Sequence, residues 1–151
     1  MVSATYGRTP VPVYFHYLAP LYLHFDLAME KAQSAINQEA ALERMKQKTR
    51  YNIRLAERKG VTVRKGGEAD LPAFYRLMEM TAERDRFAVH SEAYYAAAHH
   101  LFVPAGQGRL LLAEHEGQVL AGLVAMAFGD TACYMYGASS DEGRNLMPTY
   151  L

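Results

Sequence analysis

The stretch Arg109–Tyr136, RLLLAEHEGQVLAGLVAMAFGDTACYMY, is the most informative part of the sequence about its architecture. Its apolar residues form three short runs, each of the length of a β-strand. The three runs are 109–115, 118–128 and 131–136. Glu116-Gly117 separates the first two runs, and Gly129-Asp130 separates the last two. Two-residue connections that contain glycine are typical of β-hairpins, so the stretch predicts an antiparallel three-strand meander.

The residues before the meander predict one strand and two helices. Val61-Thr62-Val63 alternates apolar and polar side chains, as a short strand does. Apolar residues at helical spacing follow Asp70, whose carboxylate is placed to cap the helix. A second helix is predicted to begin at Ser91 and to stop before Pro104. The core face of the first helix is predicted to comprise Leu71, Phe74, Tyr75, Met78 and Ala82.

A strongly basic helix is predicted to precede this strand. Residues 41–65 carry nine basic and two acidic side chains, a net charge of +7 in a chain whose formal net charge is zero. Apolar spacing predicts a helix from about Ala40 to Lys59 that ends at Gly60. The block of charge indicates an anionic partner, and the alternative is an ordinary solvated helix face. Cations recur every four residues at Lys46, Arg50, Arg54 and Arg58.

Composition limits the class of protein. The 151 residues are enough for one domain with its own core, and the balanced charge excludes a globally basic nucleic-acid binder. A single cysteine, Cys133, excludes an internal disulfide and a cysteine-based zinc cluster, and it fits a reducing cytosolic compartment. The apolar run 13–25 is too short to span a bilayer. The six histidines have no metal-ligand spacing, so no metal site is expected.

Two separated motifs carry a resemblance to a known family. Met45–Val61, MKQKTRYNIRLAERKGV, resembles the Lys-x-Arg-x-Asn-Ile-Arg-x-Ala-x-x-x-Gly signature of the FemABX family. Tyr134–Pro148, YMYGASSDEGRNLMP, resembles the fourth-strand segment of that family, and Gly117–Gly122 resembles the beginning of its third strand. The resemblance covers roughly residues 40–151.

The resemblance implies an α+β fold of the GNAT type, that of the acyl-CoA N-acyltransferases. The chain is expected to contain part of such a module. This part is a strand and two helices, followed by the antiparallel three-strand meander. Residues 41–151 are expected to form the first half of the module. Residues 1–40 are expected to be an extended or linker segment, consistent with the remnant of a preceding module. The sequence therefore resembles a fragment of a family member.

The resemblance also implies an activity. Members of the family are aminoacyltransferases that move an aminoacyl group from aminoacyl-tRNA to an amine of a peptidoglycan precursor, a UDP-linked or lipid-linked muropeptide. The resemblance implies a cytoplasmic location and a reaction that needs no cofactor. Aminoacyl-tRNA is the implied donor substrate. Residues 137–145 lack the pyrophosphate loop of acetyltransferases, which argues against acetyl-CoA. Two alternatives stay open: a CoA-dependent N-acyltransferase, and a non-catalytic fragment that binds nucleotide or RNA or assembles with itself.

Four residues of the basic helix are the candidate ligands for the phosphates of the precursor. Lys48, Arg50 and Arg54 supply charged hydrogen-bond donors, which suit phosphate oxygens, and Asn52 is a hydrogen-bonding partner. The alternative is that these side chains are simply solvated. A homodimer through the open edge of the sheet is a further expectation, because an unpaired strand favours pairing with a second copy.

Three residues near the last strand are the candidate catalytic groups. Alternation along the strand predicts that Tyr134 and Tyr136 share a face, with Cys133 on the other face as a buried, inert thiol. In the family's fold this strand borders the acyl-transfer pocket, where a tyrosine hydroxyl could relay a proton. Asp141, in the following loop, could hold or deprotonate the attacking amine. The alternatives are half-buried strand aromatics and loop polarity.

Overall fold

The structure is a computed structural model that describes residues 42–128 and 131–151. Its helices are α1 (Gln47–Arg58), α2 (Leu71–Asp85) and α3 (Glu92–Phe102). Its strands are β1 (Thr62–Gly66), β2 (Gly108–His115), β3 (Gln118–Phe128) and β4 (Thr131–Ser139). Single 3-10 turns lie at Glu68–Asp70, Arg144–Leu146 and Pro148–Tyr150. The predicted order of strand, two helices and three strands is confirmed, whereas the expected N-terminal segment 1–40 and the 129–130 turn lie outside the described residues.

The four strands form one antiparallel sheet in the order β1-β2-β3-β4. In the middle of the sheet Leu112 pairs with Gly122, which in turn pairs with Ala138. Glu116 and Gly117 connect β2 to β3, with φ angles of 51° and 80°. A two-residue turn with two positive φ angles matches the right-handed twist of the strands it joins, so the predicted hairpin is confirmed.

The main core lies between one face of the sheet and the helices α2 and α3. Phe74 of α2 is fully buried together with Leu110 and Leu112 of β2. The Phe74 ring also meets the edge of Tyr95 from α3, with 6.0 Å between ring centroids. Pro72 lies in the first turn of α2, where its missing N–H costs no helical hydrogen bond. This face of the sheet is therefore closed by two helices.

The opposite face of the sheet carries α1. Ala56 of α1 packs with Val61 and with Ala113 and Ala121 of the two central strands. These side chains are small, so the helix lies close to the sheet. Gly60 ends the helix with a φ of 80°, as its position after the basic run predicts. The cationic segment is thus fixed to the sheet face that α2 and α3 leave free.

Three local expectations differ from the structure. Residues 42–44 are helical, but a bend at Met45 separates them from α1, which begins at Gln47 rather than continuing from about Ala40. Asp70 makes no side-chain cap to α2 and binds the Arg64 guanidinium instead. The residues around Met147 form 3-10 turns rather than the start of an α-helix, because Met147 itself has a positive φ of 58°.

Candidate active site

Among the four residues predicted to bind phosphate, Lys48 and Arg54 are exposed to solvent. Six positions separate them along α1, so they project about 120° apart around the helix. Tyr51 lies between them on the same exposed side, with 58% of its surface accessible. The solvent-facing side of α1 therefore carries an aromatic ring between two cations. In the sequence, Tyr51 lies three residues from each cation, and this spacing could have predicted that the three side chains lie near one another on the helix.

The other two predicted phosphate ligands make contacts within the fold. The Arg50 guanidinium donates hydrogen bonds to the carbonyl oxygens of Met45 and Glu43, which ties the start of α1 to the preceding turn. Asn52 is 5% exposed and lies on the side of α1 that packs against the sheet. Neither side chain joins the exposed cations on the solvent-facing side.

A bulge in β4 separates the two candidate tyrosines. Tyr136 pairs with Val124 and Tyr134 pairs with Ala125, so Met135 is an extra residue with no partner of its own. Val124 and Ala125 point to opposite faces of β3, and the two tyrosines therefore also point to opposite faces. The prediction that they share a face is wrong, because it assumed an uninterrupted alternation.

Tyr134 lies on the α1 side of the sheet. It pairs with Ala125, which shares a face with Ala121 beneath α1. Its hydroxyl passes over Gly137, where a Cβ atom would overlap it. Partial burial raises the pKa of Tyr134 above its ordinary value. The hydroxyl therefore keeps its proton at neutral pH and can act as a hydrogen-bond donor.

Tyr136 belongs to an aromatic cluster on the α2 and α3 side. Its hydroxyl lies 3.0 Å from the hydroxyl of Tyr94, and its ring meets the Tyr95 ring edge-on at 5.2 Å between centroids. Burial and then the hydrogen bond to Tyr94 raise the pKa of Tyr136 well above the ordinary range of tyrosine. This hydroxyl is therefore a hydrogen-bonding group, not a base, at neutral pH.

Cys133 is exposed. The prediction of a buried thiol is wrong for a structural reason: within the described residues β4 pairs with β3 alone, which makes it an edge strand.

Asp141 lies in the loop after β4 and is tied to α2. Arg84 donates to Asp141 Oδ1 at 3.0 Å and to the carbonyl oxygen of Ser139 at 3.1 Å. The same guanidinium binds the Asp85 carboxylate, and its pKa is raised first by Asp85 and then by Asp141. The Asp141 side chain is 56% exposed. A carboxylate of defined position therefore stands beside the end of the strand.

The α1 side of the sheet carries several of these groups. Leu146 and Met147, in the segment after the acidic loop, pack against the cluster around Ala56 of α1. Tyr134 faces the same side, whereas Tyr136 lies across the sheet. The exposed cations and Tyr134 thus share one side of the sheet, and the segment after the acidic loop reaches the same side. Asp141 itself is held by Arg84 of α2.

Sequence reasoning missed the α2 side chains that hold the acidic loop. Thr81 exchanges two hydrogen bonds with the backbone of Ser139, at 3.0 and 3.2 Å, and Arg84 reaches the same residue. These partners are 55 to 58 positions apart in sequence. The periodicity of apolar residues within one element cannot predict a contact between residues so far apart in the sequence.

A small cavity under α3 is the wrong size for a substrate. It has about 10 Å³ of free space, room for roughly one water molecule. His99 borders it, and both of its ring nitrogens are buried with no hydrogen-bond partner in the described part of the chain. Among residues 42–128 and 131–151, no three histidine, cysteine or acidic side chains are grouped so that they could hold a metal ion.

Comparison with known proteins identifies the family. The FemAB family model matches residues 23–116, which is more than half of the chain. The chain belongs to the FemAB family. The lipid II:glycine glycyltransferase of Staphylococcus saprophyticus is a curated relative, 22% identical over a match that covers 74% of this chain and 41% of the relative. The resemblance inferred from the two motifs is thus confirmed.

The fold comparison gives the same result. The crystal structure of FemX matches this FemAB-family chain with a TM-score of 0.72 at 20% sequence identity, over 76% of the chain and 45% of FemX. The expected α+β, GNAT-like fold is confirmed. The chain spans less than half the length of either protein. In the residues that the structure describes, no helix is long and apolar enough to cross a membrane.

Proposed function

We propose that this chain supplies the acceptor-binding part of a FemABX-type aminoacyltransferase, which moves an aminoacyl group from aminoacyl-tRNA to an amine of a peptidoglycan precursor in the cytoplasm. The observation that carries the proposal is the position of the exposed α1 cations on the same side of the sheet as Tyr134 and as Leu146 and Met147, the residues that follow the Asp141 loop. A muropeptide linked to UDP or lipid has both groups that such a site would recognise, phosphates and an amine. Family membership and the glycyltransferase relative support the class of reaction.

In the proposed reaction the acceptor amine attacks the ester carbonyl of aminoacyl-tRNA. The new C–N bond forms, the ester C–O bond breaks, and the ribose hydroxyl of the tRNA leaves with the proton that the amine loses. The protonated hydroxyl of Tyr134 is assigned as a donor to the oxygen that develops negative charge. Asp141 is assigned to hold the amine. Tyr136, across the sheet, is assigned to packing with α3.

The substrate phosphates are assigned to Lys48 and Arg54, with the Tyr51 ring between them available to stack on a nucleobase. Charge-assisted hydrogen bonds to phosphate are stronger than neutral ones, and they weaken as salt rises. Arg50 supports this site by holding the start of α1, and Asn52 by packing α1 on the sheet. The proposal therefore separates residues that touch the ligand from residues that keep the helix in place.

Calorimetric titration with a UDP-linked muropeptide tests the proposal. The Lys48→Ala/Arg54→Ala double variant should bind at least about tenfold more weakly than the wild type, with unchanged thermal stability because both side chains are exposed. Arg76→Ala, a matched change of an exposed arginine on α2, should bind as the wild type does.

Three outcomes would contradict this assignment. Equal affinity of the double variant and the wild type would remove the phosphate site from α1. Binding of acetyl-CoA without binding of the muropeptide would select the CoA-dependent alternative. Salt-sensitive binding of RNA alone would select the non-catalytic fragment.

A further inference from the structure

The outer edge of β4 is closed at Ser139 by side chains of α2. The Ser140 N–H donates to the Leu120 carbonyl oxygen at 2.8 Å, so Ser140 faces β3 and the backbone groups of Ser139 face away from it. Thr81 Oγ1 accepts from the Ser139 N–H at 3.0 Å, and the Ser139 carbonyl oxygen accepts from Thr81 at 3.2 Å and from Arg84 at 3.1 Å. Both backbone groups that a neighbouring strand would need at Ser139 are therefore occupied.

Arg84 extends past this edge to the Asp141 carboxylate. Its Nη1 atom bonds Oδ1 of Asp141 at 3.0 Å, while Nε and Nη2 bind the two oxygens of Asp85. Arg144 Nη1 is 4.0 Å from the same Oδ1 atom. Within the described part of the chain, Oδ2 of Asp141 accepts no hydrogen bond. One oxygen of the carboxylate is fixed, and the other is free to receive a donor.

We infer that Arg84 is a positioning residue, which orients the Asp141 carboxylate so that Oδ2 receives the amine of the acceptor. The inference rests on the proposed function. A carboxylate on an exposed loop samples several rotamers, and each contact to Arg84 reduces that freedom before the ligand arrives. The Arg84 side chain is 23% exposed, and its guanidinium also bonds the end of β4, so it is itself held in place. Thr81 assists by fixing the backbone from which the loop departs.

Geometry favours Arg84 over other cations for this role. The planar guanidinium serves Ser139, Asp85 and Asp141 at once, which an ammonium on a flexible stem cannot do with the same geometry. Arg144 lies farther from the carboxylate and is 68% exposed, so it restrains Asp141 much less. Replacing Arg84 by lysine should therefore keep the charge and lose part of the orientation.

A paired-ligand titration tests the inference on the full chain. The probes are a UDP-linked muropeptide that carries a primary amine and the same compound with that amine acetylated. The wild type should prefer the free amine by about tenfold, since one charge-assisted hydrogen bond is lost on acetylation. Asp141→Asn and Arg84→Ala should bring the ratio of the two affinities close to one, and Arg84→Lys should restore part of it.

The Arg84→Ala/Asp141→Asn double variant should lose no more selectivity than either single variant, because both changes remove the same interaction. Arg76→Ala serves as the control and should keep the wild-type ratio. If Arg84→Ala does not fold, Arg84→Lys and Asp141→Asn provide the same comparison. Retained selectivity in a folded Arg84 variant would show that Arg84 only stabilises the fold, and would overturn the inference.

Two further outcomes separate this inference from the proposal on which it rests. A wild type that binds the free and the acetylated muropeptide equally well would overturn the role of Arg84 and Asp141 and leave the phosphate site intact. A wild type that binds neither compound would overturn the proposed function itself, and the inference with it.

Discussion

The Asp70 carboxylate links the end of β1 to the start of α2. It accepts two hydrogen bonds from the Arg64 guanidinium, at 2.7 and 2.8 Å, and one from the Gly67 N–H at 2.8 Å. The hydrogen bond to Arg64, followed by that to Gly67, lowers the pKa of Asp70 to about 2. Glu114 of β2 binds the same guanidinium, so one arginine connects three elements.

This shift predicts a pH dependence of stability. The folded pKa of Asp70 lies below its ordinary value of 3.8, so its contribution is present above about pH 4 and is lost as the pH falls towards 2. Asp70→Asn should lower the free energy of unfolding by about 1 kcal/mol at pH 7, a value reduced for solvent screening of the pair. Urea unfolding at pH 7 and pH 2.5 measures it. A variant that loses as much stability at pH 2.5 as at pH 7 would contradict the ionic origin of the effect.

At Gly122 the absence of a side chain allows α2 to pack closely. A Cβ atom there would lie 2.6 Å from Cδ2 of Phe74, a ring that is fully buried. Gly122→Ala should therefore destabilise the protein by about 1–3 kcal/mol through overpacking. Gly67→Ala is the matched control, because a Cβ atom at Gly67 meets nothing within 4 Å. Equal urea midpoints for the two variants would mean that the Phe74 ring moves aside at little cost.

At the scale of elements, the β2–β3 hairpin contains a strained position. Glu116 has a φ of 51°, which asparagine and glycine adopt more readily than glutamate. Glu116→Asn should raise the free energy of unfolding by roughly 0.5–1 kcal/mol. Glu116→Ala removes the same charge without easing the backbone and should give no such gain. Thermal or urea unfolding of both variants separates backbone conformation from charge.

The bulge at Met135 determines the two surfaces of β4. It places Tyr134 on the α1 side and Tyr136 against α3, where the Tyr94 hydroxyl meets it. Tyr94→Phe removes that hydrogen bond, so the pKa of Tyr136 should fall towards its ordinary value while burial keeps it raised. Titration by NMR of the labelled tyrosine ring carbons measures the change. No change in the Tyr136 titration would assign the whole shift to burial.

At the scale of the whole molecule, the exposed edge of β4 predicts self-association. Within the described residues β4 pairs with β3 alone, and Met135 is 43% exposed at that edge. Light scattering over a dilution series should give a dimer that dissociates on dilution. Met135→Lys should favour the monomer, since a charge at an edge opposes strand pairing, whereas Met80→Lys on α2 should not. A wild type that is monomeric at micromolar concentration would contradict the prediction.

Much of the architecture could be predicted from the chain because its causes are local. The three apolar runs and the Glu116-Gly117 turn specify the meander, and helical spacing specifies α2 and α3. The predicted start of α3 at Ser91 agrees with the structure, in which Ser91 caps the helix by accepting a hydrogen bond from the Tyr94 N–H. The charge of residues 41–65 likewise needs no tertiary information. These features depend on neighbours within a few residues.

The composition of the candidate site was decided by contacts over long distances in the sequence. The bulge at Met135 depends on how β4 pairs with β3, and a single extra residue turns Tyr134 away from Tyr136 and breaks the alternation that the sequence predicts. The hydrogen bond from Arg84 to Asp141 joins residues that are 57 positions apart in the sequence. The order of the elements and the family signature can be read from the chain alone. Which side chains share a face could be seen only in the folded protein, because the direction of a side chain depends on strand register and helix docking rather than on local periodicity.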